Sequence, residues 1–172
     1  MSTMVETTEN RKLIDSGLFW LWITVLVVAL DQVTKVIAEN SMALYESVPV
    51  MPYFNFTLAY NTGAAFSFLA DASGWQRWLF AVIAVVVSVF ITGWLLRLRR
   101  EQKWLGVSLA LVLGGAIGNV WDRITLGHVI DFIDVYYQDW HWPAFNIADS
   151  AICVGAAMLV IESLFFHGKD TA

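Results

Sequence analysis

The chain has 172 residues, of which 58% are hydrophobic and only 15% are charged, and this is too apolar for a soluble domain with a wet surface. Its basic residues form no continuous patch, so nucleic acid is excluded as an expected partner. The net charge of −5 adds little, because the charged side chains lie mostly in the predicted tails and loops. The composition predicts one integral membrane domain.

Four stretches of the chain are long and apolar enough to cross a bilayer, since a spanning helix needs about 20 apolar residues. They cover residues 18–38, 75–96, 104–124 and 145–166. We therefore predict an all-α membrane protein with four transmembrane helices and a small extracytoplasmic β-rich surface subdomain. A single membrane-embedded domain over residues 16–167 is expected between a polar N-terminal tail, residues 1–15, and a short C-terminal tail, residues 168–172.

The distribution of basic residues predicts the orientation of these spans. Lysines and arginines precede the first span, separate the second from the third and follow the fourth: Arg11, Lys12, Arg97, Arg99, Arg100, Lys103 and Lys169. Because cytoplasmic segments carry an excess of basic residues, both termini are expected in the cytoplasm. The connections over residues 39–74 and 125–144 are then expected on the opposite side of the membrane.

The first span contains an acid and a base, and either charged side chain would be energetically costly to hold in lipid without a partner. Asp31 precedes Lys35 by four residues, the favourable order for an ion pair on one face of a helix. Two interpretations stay open. The pair either neutralises itself at the outer interface, or it also braces a functional site.

The long connection after the first span has two parts. Residues 47–60 are rich in Val, Tyr, Phe and Thr, which predicts short strands on the membrane surface, with the prolines at an edge. Small residues then follow Asn61, including Gly63, so the backbone can approach closely and the Asn61 amide can both donate and accept. A plain turn is the alternative interpretation of this second part.

The third span ends with several polar residues at the outer face. Gly114 and Gly118 are expected to let another helix of this protein approach closely. Asn119 and Arg123 share one side of the helix, and a guanidinium beside carboxylates can orient them or hold a substrate carbonyl. Asp122 is expected to be an exposed acid at the membrane interface.

Two further acids, Asp131 and Asp149, are predicted at the same membrane face. An ionisable group at a bilayer is a functional-site hypothesis, and two carboxyl groups within reach can act as general base and general acid. Asp134, three residues after Asp131, is expected to point to the other side of a strand. The alternative for Asp149 is a carboxylate that only stabilises a helix start, where Asn146 can act as the cap.

Other classes of function find less support in the sequence. Two histidines and two acids form a candidate metal-binding site: His128, Asp131, Asp134 and His141. No H-E-x-x-H motif or paired cysteines accompany them, so no metal and no cofactor are expected. A small transporter is one alternative class, but it requires acids near the middle of the bilayer on interrupted helices, whereas Asp131 and Asp149 are predicted at one membrane face. A non-catalytic assembly protein is another alternative, and in such a protein the two acids would be dispensable.

Five short motifs occur in the order and on the four-span layout of a known family. They are Asp31-Gln32-x-x-Lys35, Asn61-Thr62-Gly63-Ala64-Ala65-Phe66, Gly118-Asn119-x-x-Asp122-Arg123, Val129-Ile130-Asp131-Phe132 and Phe145-Asn146-Ile147-Ala148-Asp149-Ser150. Together they resemble the bacterial lipoprotein signal peptidase family, signal peptidase II. The resemblance runs from about Leu18 to Phe166 and leaves out the N-terminal tail.

The resemblance implies a multi-pass aspartic endopeptidase of the bacterial inner membrane that removes signal peptides from prolipoproteins, cutting before a cysteine that already carries diacylglycerol. The family's catalytic positions fall on Asp131 and Asp149. Its supporting polar positions fall on Asp31, Lys35, Asn61, Gly63, Asn119, Arg123 and Asn146. The expected partners are lipid-modified prolipoproteins and membrane lipid. The enzyme is expected to act as a monomer, with its site at the periplasmic face.

Overall fold

A computed structural model describes residues 15–63 and 74–165 of the chain. The described residues form a short 3-10 helix, Gly17–Trp20, four α-helices and a four-stranded antiparallel sheet. The helices are α1 Leu21–Ser41, α2 Trp75–Arg97, α3 Lys103–Thr125 and α4 Ile147–Phe165. Most of the predicted N-terminal tail, the predicted C-terminal tail and the part of the Asn61 motif after Gly63 lie outside the described residues.

The sheet joins the connection after α1 to the connection after α3. Its strands are β1 Ser47–Met51, β2 Phe54–Asn61, β3 Val129–Tyr137 and β4 Trp140–His141, in the order β1-β2-β3-β4. Pro49 lies in β1 at the edge, as predicted, because proline has no N–H for a ladder hydrogen bond. The pairing of β2 with β3 places Ala59 opposite Asp131. The end of β2 therefore lies beside this acid.

Each of the four helices is long and apolar enough to cross a membrane, and the predicted fold class is confirmed. The first helix continues to Ser41, beyond its predicted end. The fourth begins at Ile147, two residues later than predicted, because Phe145 forms an antiparallel bridge with Ile133 of β3. The chain is therefore still attached to the sheet immediately before it enters the last helix.

Helix α3 lies at the centre and packs against the other three helices. Its small residues make these contacts close: Gly114 lies against Val27 of α1, and Gly115 lies against Ala148 and Ile152 of α4. The close approach that the glycines predicted is confirmed, and it joins helices of one chain.

Two apolar clusters stabilise the two ends of the helix layer. One joins α2 to α3 through Ile91, Leu95, Leu98, Leu109 and Leu113. The other joins the end of α1 to the sheet through Ala38, Leu58, Ile130 and Phe132. Beside the first cluster, the Gly17 amide donates to the Leu98 carbonyl at 2.8 Å, and the Arg100 amide donates to the Asp15 carbonyl at 2.9 Å. The start of the first span and the α2–α3 connection, both predicted to be cytoplasmic, thus lie together.

Replacing Gly115 by alanine is expected to destabilise the protein, because the added methyl group would meet the Ala148 carbonyl and the Ile152 side chain. Overpacking of this kind costs about 1–3 kcal/mol. Gly93→Ala is the matched control, since nothing lies within 4 Å of an added Cβ there and alanine favours a helix. Thermal unfolding in detergent measures the difference, and equal midpoints for the two variants would contradict the close α3–α4 contact.

Candidate active site

Asp131 lies in β3 and is buried, with 2% of its surface exposed. The end of β2 lies beside it, and Asn61 Nδ2 donates to Asp131 Oδ2 at 3.0 Å. From the other side, Asn146 Nδ2 donates to Asp131 Oδ1 at 2.8 Å. Each oxygen of the carboxyl group therefore has its own amide donor, and the two bonds together fix the orientation of the group.

Asp149 is the third residue of α4 and belongs to a reciprocal helix cap. The Asp149 amide donates to Asn146 Oδ1 at 2.9 Å, and Asp149 Oδ2 accepts from the Asn146 amide at 3.2 Å. The other carboxyl oxygen, Oδ1, accepts from Asn119 Nδ2 at 2.8 Å. Asp149 thus stabilises the start of its helix, as the alternative interpretation held, and at the same time faces the polar end of α3.

Asn146 joins the two carboxyl groups. Its side chain is completely buried and bonds to Asp131, while its backbone amide and side-chain oxygen bond to Asp149. Its Nδ2 also lies 3.2 Å from Asn119 Oδ1 and 3.2 Å from the Ile130 carbonyl oxygen. Because one immobile residue bonds to both acids, the strand and the helix that carry them share one site.

Burial, reinforced by the negative charge of Asp149, raises the pKa of Asp131 to about 7. Hydrogen bonds from Asn61 and Asn146 and the positive charge of Lys35 act in the opposite direction. Near neutral pH the pair can hold one proton and one negative charge, and its two carboxyl groups titrate jointly. A neutral carboxyl group beside an ionised one can supply an acid and a base to the same reaction.

Lys35 is buried between two acids. Its Nζ lies 2.8 Å from Asp31 Oδ2 and 2.8 Å from Asp122 Oδ2, and it donates to Asn119 Oδ1 at 3.1 Å. The predicted pair of Asp31 and Lys35 is present, but not as an isolated pair at the interface, because both residues are buried.

The prediction that Asp122 is an exposed interfacial acid is wrong. Asp122 is 1% exposed, because a lysine buried beside it supplies the opposite charge.

The two acids bound to Lys35 also hold the backbone of the site. Asp31 Oδ1 accepts at 2.9 Å from the amide of Ala148, the residue before the capping acid of α4. Asp122 Oδ2 accepts at 3.3 Å from the amide of Ile130, the residue before the buried acid of β3. The lysine thus fixes, through its two partners, the spacing of the chain segments that carry the paired acids.

Arg123 connects this network to the end of β2. Its Nη2 donates to the Gly63 carbonyl at 2.9 Å, and its Nη1 donates to the Asn119 carbonyl at 3.3 Å. The Gly63 amide donates to Asn61 Oδ1 at 2.9 Å, so residues 61–63 form a turn at the end of β2. All of the sequence-predicted site residues are thereby joined in one hydrogen-bonded network.

Two members of the network were not predicted. Asp122 was assigned to the surface, and Gln32 was given no role, although Gln32 Nε2 donates to Asp122 Oδ1 at 2.9 Å. A signal was available for Asp122, because it follows Asn119 by three residues and positions three apart lie on nearly the same helix face. Gln32 left no comparable signal, since only the packing of α1 on α3 directs it to this acid.

The network borders a cleft of about 640 Å³ between α2, α3, α4 and residues 142–145. Polar side chains at its wall include Asn61, Asn119, Arg123 and Asp149. The rest of the wall is mostly apolar and includes Ile83 and Val154, which are 48% and 53% exposed on the outer surface of the helices. The cleft therefore leads from Asp149 and its polar neighbours to the surface that a membrane covers.

Asp134 and the two nearby histidines lie apart from this network. Asp134 accepts from Asn55 and Thr57 of β2, and it points away from the other acid of its strand, as predicted. His141 pairs with Asp134, whereas His128 contacts Tyr60, with ring centroids 4.0 Å apart and planes tilted by 31°. Within residues 15–63 and 74–165, no group of three or more His, Cys, Asp or Glu residues is arranged to hold a metal ion.

The family model described as signal peptidase (SPase) II matches residues 23–165. Similar proteins from two Pseudomonas species carry the name lipoprotein signal peptidase. The protein of Pseudomonas syringae pv. tomato is 62% identical over 167 residues, covering 96% of this chain and 94% of the relative. That of Pseudomonas aeruginosa is 61% identical over 154 residues, covering 88% of this chain and 90% of the relative.

Two solved structures, both described as a bacterial membrane enzyme studied by the in meso method, share the fold. The structure at 2.3 Å resolution superposes with a TM-score of 0.77 at 31% identity and covers 90% of this chain and 94% of its own. The structure at 1.9 Å resolution superposes with a TM-score of 0.75 at 34% identity and covers 89% and 94%.

Replacing Lys35 by methionine is expected to destabilise the protein by about 3–5 kcal/mol, because two buried carboxylates would lose their cation. The midpoint of thermal unfolding in detergent measures the effect. Lys103→Met is the control, since Lys103 is exposed in the first turn of α3 and its loss should leave the midpoint unchanged. A Lys35→Met variant as stable as the wild type would show that the buried charges need no lysine.

Replacing Asp131 by asparagine is expected to change how the free energy of unfolding depends on pH. Because the pKa of the buried Asp131 is raised from 3.8 to about 7, its stabilising contribution is complete below pH 3.8 and is lost as the pH rises through 7. Asparagine stays neutral, so the unfolding free energy of the variant minus that of the wild type should rise by up to about 1.4 kcal/mol per pH unit between these values and then level off. Unfolding midpoints measured across this range test it, and a difference independent of pH would contradict the raised pKa.

Proposed function

The chain belongs to the signal peptidase II family and removes signal peptides in lipoprotein maturation, and from this premise we propose that it is an aspartic endopeptidase with Asp131 and Asp149 as its catalytic residues. The observation that carries the proposal is the buried Asn146, which bonds to both carboxyl groups at once. Two carboxyl groups held in this way can activate water directly, so the proposed chemistry uses no covalent intermediate, metal or cofactor.

One carboxyl group of the pair acts as the base and the other as the acid. The ionised group takes a proton from water as the water oxygen attacks the scissile carbonyl carbon, and the protonated group donates a hydrogen bond to the carbonyl oxygen as negative charge develops there. The C–N bond then breaks, and the base passes its proton to the leaving amine. The raised pKa of Asp131 supports this division of roles, because it keeps one proton on the pair near neutral pH.

Arg123 is proposed to position the substrate beside the pair. Its side chain lines the cleft, and its Nε–H is buried with no hydrogen-bond partner among the described residues. A buried donor is costly unless a ligand satisfies it, and a carbonyl oxygen of the bound peptide is the fitting acceptor. Arg123 also holds Gly63, which belongs to the connection over residues 39–74, and this connection with its two strands is proposed to cover the bound peptide.

The substrate is proposed to be a prolipoprotein that is cut just before a cysteine carrying diacylglycerol. The mostly apolar wall of the cleft supports entry of the peptide from lipid, with the acyl chains left in the bilayer. Anchoring the substrate in the membrane in this way aligns the scissile bond with the carboxyl groups. Positioning of this kind can contribute several powers of ten to the rate.

The chain is a multi-pass protein of the bacterial inner membrane, and its termini are proposed to lie in the cytoplasm with the site at the periplasmic face. The cluster of Arg97, Arg99 and Arg100 between α2 and α3 supports this orientation. The residues of the proposed site come from three of the four helices and from the sheet, and they lie in one hydrogen-bonded network. This supports a single membrane-embedded domain over residues 16–167. The domain is proposed to act as a monomer surrounded by membrane lipid.

Asparagine in place of Asp131 or Asp149 is expected to lower cleavage by about a hundredfold to ten-thousandfold, because either change removes the acid or the base. The test incubates purified enzyme with a diacylglyceryl-modified prolipoprotein and measures the shortened product, with the unlipidated form as a second substrate that should remain uncut. Glu162→Gln, which removes an acid far along α4, should cleave like the wild type. Near-normal turnover by either asparagine variant would defeat the assignment.

A further inference from the structure

A second acid–base pair lies on the sheet, apart from the network that holds the two catalytic residues. His141 Nδ1 lies 2.8 Å from Asp134 Oδ1, and the histidine ring stacks on Tyr136 with ring centroids 5.1 Å apart and planes inclined by 17°. The side chain of Asp134 is 7% exposed, whereas that of His141 is 52% exposed. A half-exposed histidine is thus held in one orientation by a buried carboxylate and an aromatic ring.

The Asp134 side chain is fixed in position by hydrogen bonds from two side chains of β2. Its Oδ2 accepts from Asn55 Nδ2 at 3.2 Å and from Thr57 Oγ1 at 3.0 Å, across the β2–β3 pairing. Burial alone would raise the pKa of Asp134, but the hydrogen bonds from His141, Asn55 and Thr57 hold that pKa below its usual value. The carboxylate is ionised at neutral pH, so its hydrogen bond with His141 is charge-assisted.

The chain that follows His141 forms one wall of the cleft, residues 142–145. Four backbone hydrogen bonds attach this wall to β3, and three of them lie at its far end. There the Phe145 amide donates to the Ile133 carbonyl at 3.1 Å, and the Phe145 carbonyl accepts from the Ile133 amide at 2.8 Å and from the Phe132 amide at 3.1 Å. At the start of the wall, one backbone bond is present, from the Trp142 amide to the Val135 carbonyl at 2.8 Å. Strand β4 has only two residues, and so short a pairing is weak by itself. The side-chain bond from His141 to Asp134 is therefore well placed to fix where the wall begins.

We propose that His141 and Asp134 are positioning residues that hold the 142–145 wall against the bound prolipoprotein, so that they set the affinity for the substrate. The inference rests on the proposed function, since this wall borders the cleft assigned to the substrate. The catalytic acids Asp131 and Asp149 are held by a separate set of amides. Loss of the pair loosens the wall and leaves these acids in place.

The decisive variant is His141→Phe, which keeps a ring on Tyr136 and removes the hydrogen bond. With a diacylglyceryl-modified prolipoprotein as substrate, KM is expected to rise about tenfold while kcat stays within about twofold of the wild type. His141→Asn supplies a new side-chain donor and should recover most of the lost affinity. Asp139→Asn removes an exposed acid from the same hairpin and should change neither constant. His141 is half exposed, so its replacement leaves the core intact.

A double variant tests whether the two residues act as one unit. Asp134→Asn combined with His141→Phe should raise KM no further than the more damaging single change, because the bond can be lost only once. A wild-type KM in His141→Phe, a fall in kcat without a change in KM, or no recovery in His141→Asn would overturn the inference while the wild type still cleaves. No cleavage of the prolipoprotein by the wild type would overturn the proposed function, and this inference with it.

Discussion

A lysine buried between two acids, where two membrane helices meet, is the interaction on which the site depends. An unpaired buried charge costs several kcal/mol, so Lys35 can lie there only where Asp31 and Asp122 both reach it. Each of those acids then has an oxygen that accepts a backbone amide, from Ala148 and from Ile130. The need to neutralise one cation thus determines how far apart α4 and β3 lie, and with them the paired carboxyl groups.

The small residues of α3 make this charge pairing possible. Aspartate has a short side chain, so it can serve two partners only when the backbones of neighbouring helices approach closely. At Gly118 an added Cβ would lie 2.6 Å from Asp31 Oδ2, and at Gly114 it would lie 2.7 Å from Val27 Cβ. A larger residue at Gly118 would displace the acid that anchors Ala148. Close helix packing and charge pairing are therefore two aspects of one contact between α1, α3 and α4.

The site forms where the sheet meets the helices, and each layer supplies what the other lacks. The helices provide apolar surface for contact with lipid and the buried charges that fix the backbone. The sheet provides Asn61 from β2 and Asp131 from β3, in a register that brings the two side chains together. The 142–145 segment then carries the chain from the sheet to Asp149 and closes one side of the cleft. A polar centre and an apolar entrance thus meet in one cleft.

Four features could be predicted from the order of the amino acids: the four spans, the surface strands, the pair of Asp31 and Lys35 and the cap at Asn146. Each of them depends on apolar length or on residues a few positions apart. The packing of the elements was needed to show that Asp122 is buried, that Gln32 bonds to it, and that Asn146 bonds to both Asp131 and Asp149. Helical periodicity indicates which residues share a face, but it does not indicate which neighbouring element that face contacts. Contacts between side chains far apart in the sequence arise only when the helices and the sheet pack together.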